Sequence, residues 1–303
     1  MVAATDGMGA GGMHLSAEKM RGADADFNGI VLRLKTLPSY HPTVVSLLSV
    51  STEAPSAVEQ FEAIFEKDPA FASELLQVAN SPEFGLRGSV ASVRHALMLL
   101  GLDHVNALAF NLAIRFYRDR APSMRDVHSA WSHSVATAIV AEAVLAASDL
   151  KSAGIYTAGL IHDIGRLGMM MTEGDRYVKF ASGEFASAAD YLTQENEATG
   201  IAHTEAGGVL AENWGFPKRL CHSIRRHHDP YQFPLKESVG LVSCACRLAS
   251  ALGYSEIQLQ PAETLEEVLD GFPAEMRHRA CLEPERLHAA IGKALQGVWG
   301  FSK

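Results

Sequence analysis

The stretch Gly159–Gly168, "GLIHDIGRLG", places a histidine and an aspartate side by side at the end of an apolar helical pattern, His162 and Asp163. An HD dipeptide alone means little. It acquires chemical weight only if other metal-type ligands fall on inward-facing helical positions elsewhere in the chain. Three further segments meet that condition. In "SAWSHSVATAIVAEAVL" (129–145), His133 shares a helical face with Ala130, Ala136, Val140 and Val144, so it points into the core. In "EATGIAHTEAGGVLAENWGF" (197–216), His203 shares a stripe with Ala206, Gly207, Leu210 and Trp214. The small residues at 206–208 allow a second helix to approach closely. In "PKRLCHSIRRHHDP" (217–230), Leu220, Ile224 and His227 lie at i, i+4 and i+7, and His228 follows about 100° round the same turn.

A single histidine on an apolar face is ordinarily a hydrogen-bonded core residue. Five inward-facing imidazoles and one carboxylate on four helices are a different matter. Burying each without a partner would cost about 1–3 kcal/mol. A divalent ion removes that cost, because neutral imidazole and carboxylate are natural ligands for zinc, iron or manganese. The residue pattern therefore predicts one or two transition-metal ions held by His133, His162, Asp163, His203, His227 and His228.

The rest of the chain predicts an all-α protein. Spacings of three and four recur along its 303 residues, and strict two-residue alternation is nearly absent. Hydrophobic residues make up 48% and charged residues 20%, which suits a packed core. The net charge of −9 argues against nonspecific attraction to nucleic acid or an anionic membrane. No apolar run reaches the ~18 residues of a membrane helix on this reading. The four cysteines form neither a CxxC nor a disulfide framework, which points to a reducing cytoplasm.

Punctuation divides the chain into four parts. Residues 1–23, rich in Gly and Met, read as a flexible leader without the features of a signal peptide. Residues 24–120 read as an N-terminal helical subdomain whose short helices open at Pro42 and at Asp68-Pro69 and close at Asn80 and Gly101. An apolar helix over "LDHVNALAFNLAIRFY" completes it, and "RDRAPSMRD" (118–126) marks the boundary. Residues 121–254 read as the metal-binding core, with helices near 124–149, 152–164, 175–194, 197–214, 217–228 and 236–252. Residues 255–303 read as an extension of two or three short helices.

The order His133, His162-Asp163, His203, His227-His228 resembles the HD superfamily of metal-dependent phosphohydrolases, whose "HDxGK" is matched here by "HDIGR". The upstream segments "LPSYHPTVVSLL", "DPAFASELLQVANSPEFG" and "SVRHALMLLGLDHV" resemble the HDOD subgroup. That resemblance covers about residues 27–252 and implies a multi-helix HDOD/HD-like bundle. Many HDOD proteins have lost most of the ligands and act as signalling or regulatory modules, whereas this chain keeps most of them.

Three departures from the HD pattern matter. The relatives' last aspartate, in an "AD" pair, is replaced in "LVSCACRLAS" by Cys246, which is either a thiolate ligand or core filler. Glu237, nine residues upstream, is too far along that helix to substitute. The "GYP" element of enzymes that open cyclic di-GMP is absent from "HHDPYQFPLK". Arg166 stands where lysine is usual, either holding a phosphate beside Asp163 or lying solvated at a helix end.

The resemblance thus implies a metal-binding regulatory or signal-transduction protein that works through a separate signalling partner. The other implied activity is a metal-dependent phosphohydrolase or phosphodiesterase, with Asp163 and Arg166 in catalytic roles and a nucleotide-like phosphate ester as substrate.

Overall fold

Helix α6 (Met124–Ala147) is the beam on which the molecule is built. Its inward residues Val135, Ala136, Ala138, Val140, Ala141 and Val144 are each 1% exposed or less, and His133 shares their face at 3%. Val127–Ala147 is long and apolar enough to cross a membrane, which corrects the sequence reading that no such run exists. Most of that helix is instead covered by the protein's own core.

The computed structural model describes residues 27–299 except 39–40, 82–88, 103, 107, 110–123, 153 and 278. The expected leader, most of the helix over "LDHVNALAFNLAIRFY" and most of the expected boundary at 118–126 lie outside the described residues. The N-terminal lobe contains α1 (27–36), α2 (Pro42–Ser49), α3 (Ala57–Phe65), α4 (Pro69–Ala79) and α5 (Val93–Leu100). Its boundaries follow the expected signals. Asp68 caps α4 through the Phe71 amide at 3.3 Å, Asn80 ends it, and Gly101 closes α5 with a φ of 80°.

After α6 come α7 (Ile155–Ile161), α8 (Ile164–Glu173), α9 (Asp175–Ala181), α10 (Ala188–Thr199), α11 (His203–Asn213), α12 (Lys218–Arg226) and α13 (Ser238–Ala249). The chain then passes through an irregular turn at 250–254 and finishes with α14 (Leu265–Asp270), α15 (Ala274–Arg277) and α16 (Pro284–Trp299). Helices α7, α13 and α16 pack on α6, while α8, α11 and α12 pack side by side. The fold is an all-α bundle, as expected.

Two breaks depart from the expected helices. The helix near 152–164 stops at Ile161, and α8, which was not expected, starts after His162–Asp163; the one near 175–194 breaks at 182–187. The second break holds β1 (Glu184–Phe185), which pairs in parallel with β2 (Gln258–Leu259). This ribbon ties the chain beyond α13 to the middle of the bundle.

Glycines allow two close helix crossings. A Cβ at Gly159 would lie 2.7 Å from the Ala138 Cα, so α7 rests directly on the α6 backbone. A Cβ at Gly165 would fall on the His203 carbonyl oxygen and lie 2.6 Å from the Gly207 nitrogen. The close approach expected from the small residues at 206–208 is therefore made by α8.

Candidate metal centre

Asp163 occupies the N-cap position of α8, where an aspartate ordinarily turns its carboxylate onto the helix's own free amides. Here the side chain makes no such bond. It faces the interior, 4% exposed, with Oδ1 lying 3.1 Å from the Nε2 atoms of both His203 and His227. Its Oδ2 lies 3.5 Å from His162 Nε2 and 3.8 Å from His133 Nε2. Four of the five expected histidines thus surround one carboxylate, and each is 3% exposed or less.

The opposite ring nitrogens are fixed. Nδ1 of His133 donates to the Tyr254 carbonyl at 2.8 Å, that of His162 to the Gly159 carbonyl at 2.6 Å, and that of His227 to the Ile224 carbonyl at 2.7 Å. Nδ1 of His203 donates to Glu195 Oε2 at 2.7 Å. In a neutral imidazole the proton at Nδ1 leaves Nε2 as a bare lone pair. The four lone pairs then converge on one another and on Asp163, with 3.3 Å between His133 and His162 and 3.4 Å between His203 and His227. Acceptors so arranged repel unless a cation lies among them.

Two orphaned atoms support the same conclusion. Asp163 Oδ1 and His228 Nε2 are buried without a hydrogen bond. With their protons on Nδ1, the two imidazoles 3.1 Å from Oδ1 have none to give it, so proximity there is not satisfaction. The donor set fits a metal ion, and the Nδ1 contacts are the outer bonds that orient ligating histidines.

The donors fall into three overlapping groups, linked through Asp163 and His133. Ligand atoms of Asp163, His203, His227 and His228 lie within 4.8 Å of one another. So do those of His133, His162 and Cys246, and those of His133, Asp163 and Glu256. Cys246 Sγ sits 3.4 Å from His133 Nε2. All seven expected metal residues are therefore brought together.

The electrostatics follow from burial among charges. Desolvation pushes His133 down to about 4, against the opposing pull of Asp163. Burial likewise holds His162 and His228 well below the ordinary histidine range, with neighbouring imidazoles adding to the effect. Burial lowers His203 too, but Glu195 and Asp163 outweigh it and the net shift is upward. Asp163 is held well below the carboxylate range, because Arg166, His162 and His203 overcome its desolvation. Burial, assisted by Asp163, pushes the Cys246 thiol well up.

Arg166 is not solvated, although it lines one of the pockets beside the centre. It is 3% exposed, donates from Nε to Asp163 Oδ2 at 3.0 Å, and reaches the Tyr191 hydroxyl at 2.7 Å. The reading of a solvated cation at a helix end is thus corrected. Its first turn of α8 is packed beneath α11 and faces the carboxylate.

Sequence reasoning missed two acids. Glu195, fully buried on α10, accepts from the ring and backbone nitrogens of His203 and from the Tyr177 and Tyr191 hydroxyls. Its spacing from Tyr191 and Thr199, four residues each way on one buried stripe, was the available signal. Glu256 lies in the segment just after α13, its side chain 7% exposed, with Oε2 at 3.4 Å from Arg166 Nε. Burial and the Asp163 charge push it up to about 8.

Two openings reach the centre. One pocket of about 830 Å³ is lined by His227, His228, Cys246, Arg247, Tyr231 and Gln258, among others. Another of about 600 Å³ is lined by Arg166, Tyr177, Glu256 and their neighbours. Residues Ser255, Ile257 and Gln258 border both.

An all-α bundle enclosing a histidine–carboxylate centre defines a class of HD-type helical proteins. Within it, residues 37–230 match the HDOD domain, and the chain belongs to that family. Among curated proteins it is similar to an uncharacterized protein of Treponema pallidum, 21% identical over 169 residues that cover 55% of this chain and 33% of the relative. It is also similar to the solved structure of a protein assigned to signal transduction from Marinobacter aquaeolei VT8. The TM-score there is 0.68 at 20% identity, covering 92% of this chain and 66% of that one. A protein assigned as a metal-dependent phosphohydrolase from Shewanella amazonensis SB2B gives 0.55 at 18%, covering 89% of this chain and 98% of that one. At these identities the structural likeness speaks to the fold. The chain spans about a third of the length of the Treponema relative.

Proposed function

We propose that the chain is a metal-binding regulatory module of the HDOD family, holding two divalent transition ions at the Asp163 centre and signalling to a separate protein through its helical surface. One observation carries the metal reading: four imidazoles have Nδ1 tied to oxygen acceptors while their Nε2 atoms converge on one carboxylate. His203, His227, His228 and Asp163 would hold one ion, and His133 and His162, with Asp163 nearby, would help to hold the other. Iron, manganese and zinc all suit this nitrogen and oxygen set. The assignment of the Marinobacter protein to signal transduction supports the regulatory half of the proposal.

Regulation is preferred over turnover because the nearby cations are already engaged. Arg166 is closed in by Asp163, Tyr191 and Glu256, and Arg247 at the larger pocket is bonded to Glu263. A phosphate ester in that pocket would meet no free guanidinium from either residue.

A second reading is a phosphohydrolase acting on a nucleotide-like phosphate ester. The pocket of about 830 Å³ favours it, because it opens directly onto His227, His228 and Cys246. Bound ions would supply Lewis-acid polarisation of a phosphoryl oxygen and a nucleophile near neutral pH. In that case Asp163 orients the reacting groups, and Arg166 holds Asp163 ionised.

Metal analysis of protein purified without a histidine tag tests the common ground. Two ions per chain are expected, and a chain that takes up none from iron, manganese or zinc sinks both readings. A phosphatase and phosphodiesterase panel, with manganese or iron and an Asp163→Ala control, then separates them. Turnover that disappears in the variant establishes the enzyme; its absence with every metal leaves the regulatory module.

A further inference from the structure

Helix α13 offers Cys246, and no carboxylate, to the His133–His162 side of the centre. The chain just beyond it approaches that side differently. Tyr254 turns its carbonyl to His133 Nδ1 at 2.8 Å, which fixes that ring. Two residues later Glu256 enters the interior. Two residues later again, β2 begins to pair with β1, and the Gln260 amide donates to the Phe185 carbonyl at 2.8 Å. Phe185 in turn packs edge-on against Tyr191 at 4.7 Å, and Tyr191 accepts from Arg166. Residues 254–260 therefore form a strap, tied at one end to a candidate ligand and at the other to the bundle.

The Glu256 carboxyl is only half accounted for by its protein neighbours. Oε2 faces Arg166 at 3.4 Å, while Oε1 is buried without a hydrogen-bond partner. A ligand oxygen of Glu256 lies within 4.8 Å of ligand atoms of both His133 and Asp163. Arg166 answers one oxygen of this second buried acid, and the other stays costly to bury without a partner of its own.

We infer that Glu256, delivered by the strap and not by helix α13, is the carboxylate ligand that completes the His133–His162–Asp163 ion site in place of the acid missing at position 246. Cys246 then serves as packing beside the site. This rests on the metal reading above. With an ion bound there, Glu256 would tie the strap to the centre between the two pockets.

The test compares wild type, Glu256→Gln and Cys246→Ser, all untagged, stripped with chelator, reloaded with manganese or zinc, and assayed for bound metal after gel filtration. The expected ratios are two ions per chain for wild type, one for E256Q and two for C246S, with a tenfold or greater loss of affinity for the second ion in E256Q. Wild-type protein loaded with cobalt(II) provides a check that needs no variant, since a thiolate ligand adds a sulfur-to-metal charge-transfer band and a carboxylate does not. Retention of two ions by E256Q, or loss of one by C246S together with a thiolate band, overturns the assignment of Glu256. A wild-type chain that binds no ion at all overturns the metal reading itself.

Discussion

The two halves of the histidine cluster are built by different means. The His203–His227–His228 half stands on the paired helices α11 and α12, and its central ring is braced by the buried carboxylate of Glu195. The His133–His162 half draws on α6, the end of α7, α13 and the strap, and the Nδ1 atom of each ring is held by a backbone carbonyl. One half is carried by paired helices, and the other is bordered by an irregular segment. A charged outer partner raises imidazole basicity more than a neutral carbonyl does, so His203 is expected to be the strongest donor of the four.

Asp163 joins the halves, so replacing it should have the largest effect. Asp163→Asn should reduce metal content to below one ion per chain, with at least a hundredfold weaker binding measured by competition with a chelator. Retention of either ion at full affinity would mean that the halves are independent.

Acid should act next most strongly, on the metal-free protein. A histidine that titrates near 4 in the fold and near 6.5 when unfolded takes up its proton only on unfolding between those values. Its contribution is complete above pH 6.5, is lost as the pH falls towards 4, and amounts to about 3 kcal/mol for His133. His162 and His228 shift the same way, and His203 the opposite way. Denaturant unfolding from pH 7 to 4 should therefore show a falling stability. A flat profile would mean that these rings are not held neutral.

Glu195→Gln should weaken the first half selectively, by about 10–100-fold in affinity for one ion, while the other ion stays. Equal loss from both halves, seen by calorimetric titration, would erase the distinction drawn here. Arg247→Ala should have the smallest effect. Its bond to Glu263 is half exposed, and its loss should change stability by about 0–1 kcal/mol and leave metal content unchanged.

The ligands legible in the sequence are those on regular helices. His133, His203 and His227 declared themselves because each continues an apolar stripe, and that stripe is buried in the fold. His162 and Asp163 were legible by motif, although helical periodicity reads through the break that separates them. Glu195 was readable in principle, from its stripe with Tyr191 and Thr199. Glu256 was not. It follows a turn with Gly253 at a φ of 93°, where no period relates one side chain to the next. Its place is set by pairing with residues about seventy positions earlier, a long-range fact that local spacing does not carry. The same limit hid the role of Arg166, whose surroundings come from α10 and the strap.

The crossing at Gly165 and Gly207 has a consequence for how the centre can be altered. Two main chains touch there, so the backbone that carries Asp163 is seated directly on the backbone that carries His203. Even a methyl group added at Gly165 would have to wedge the two helices, and with them those two residues, apart.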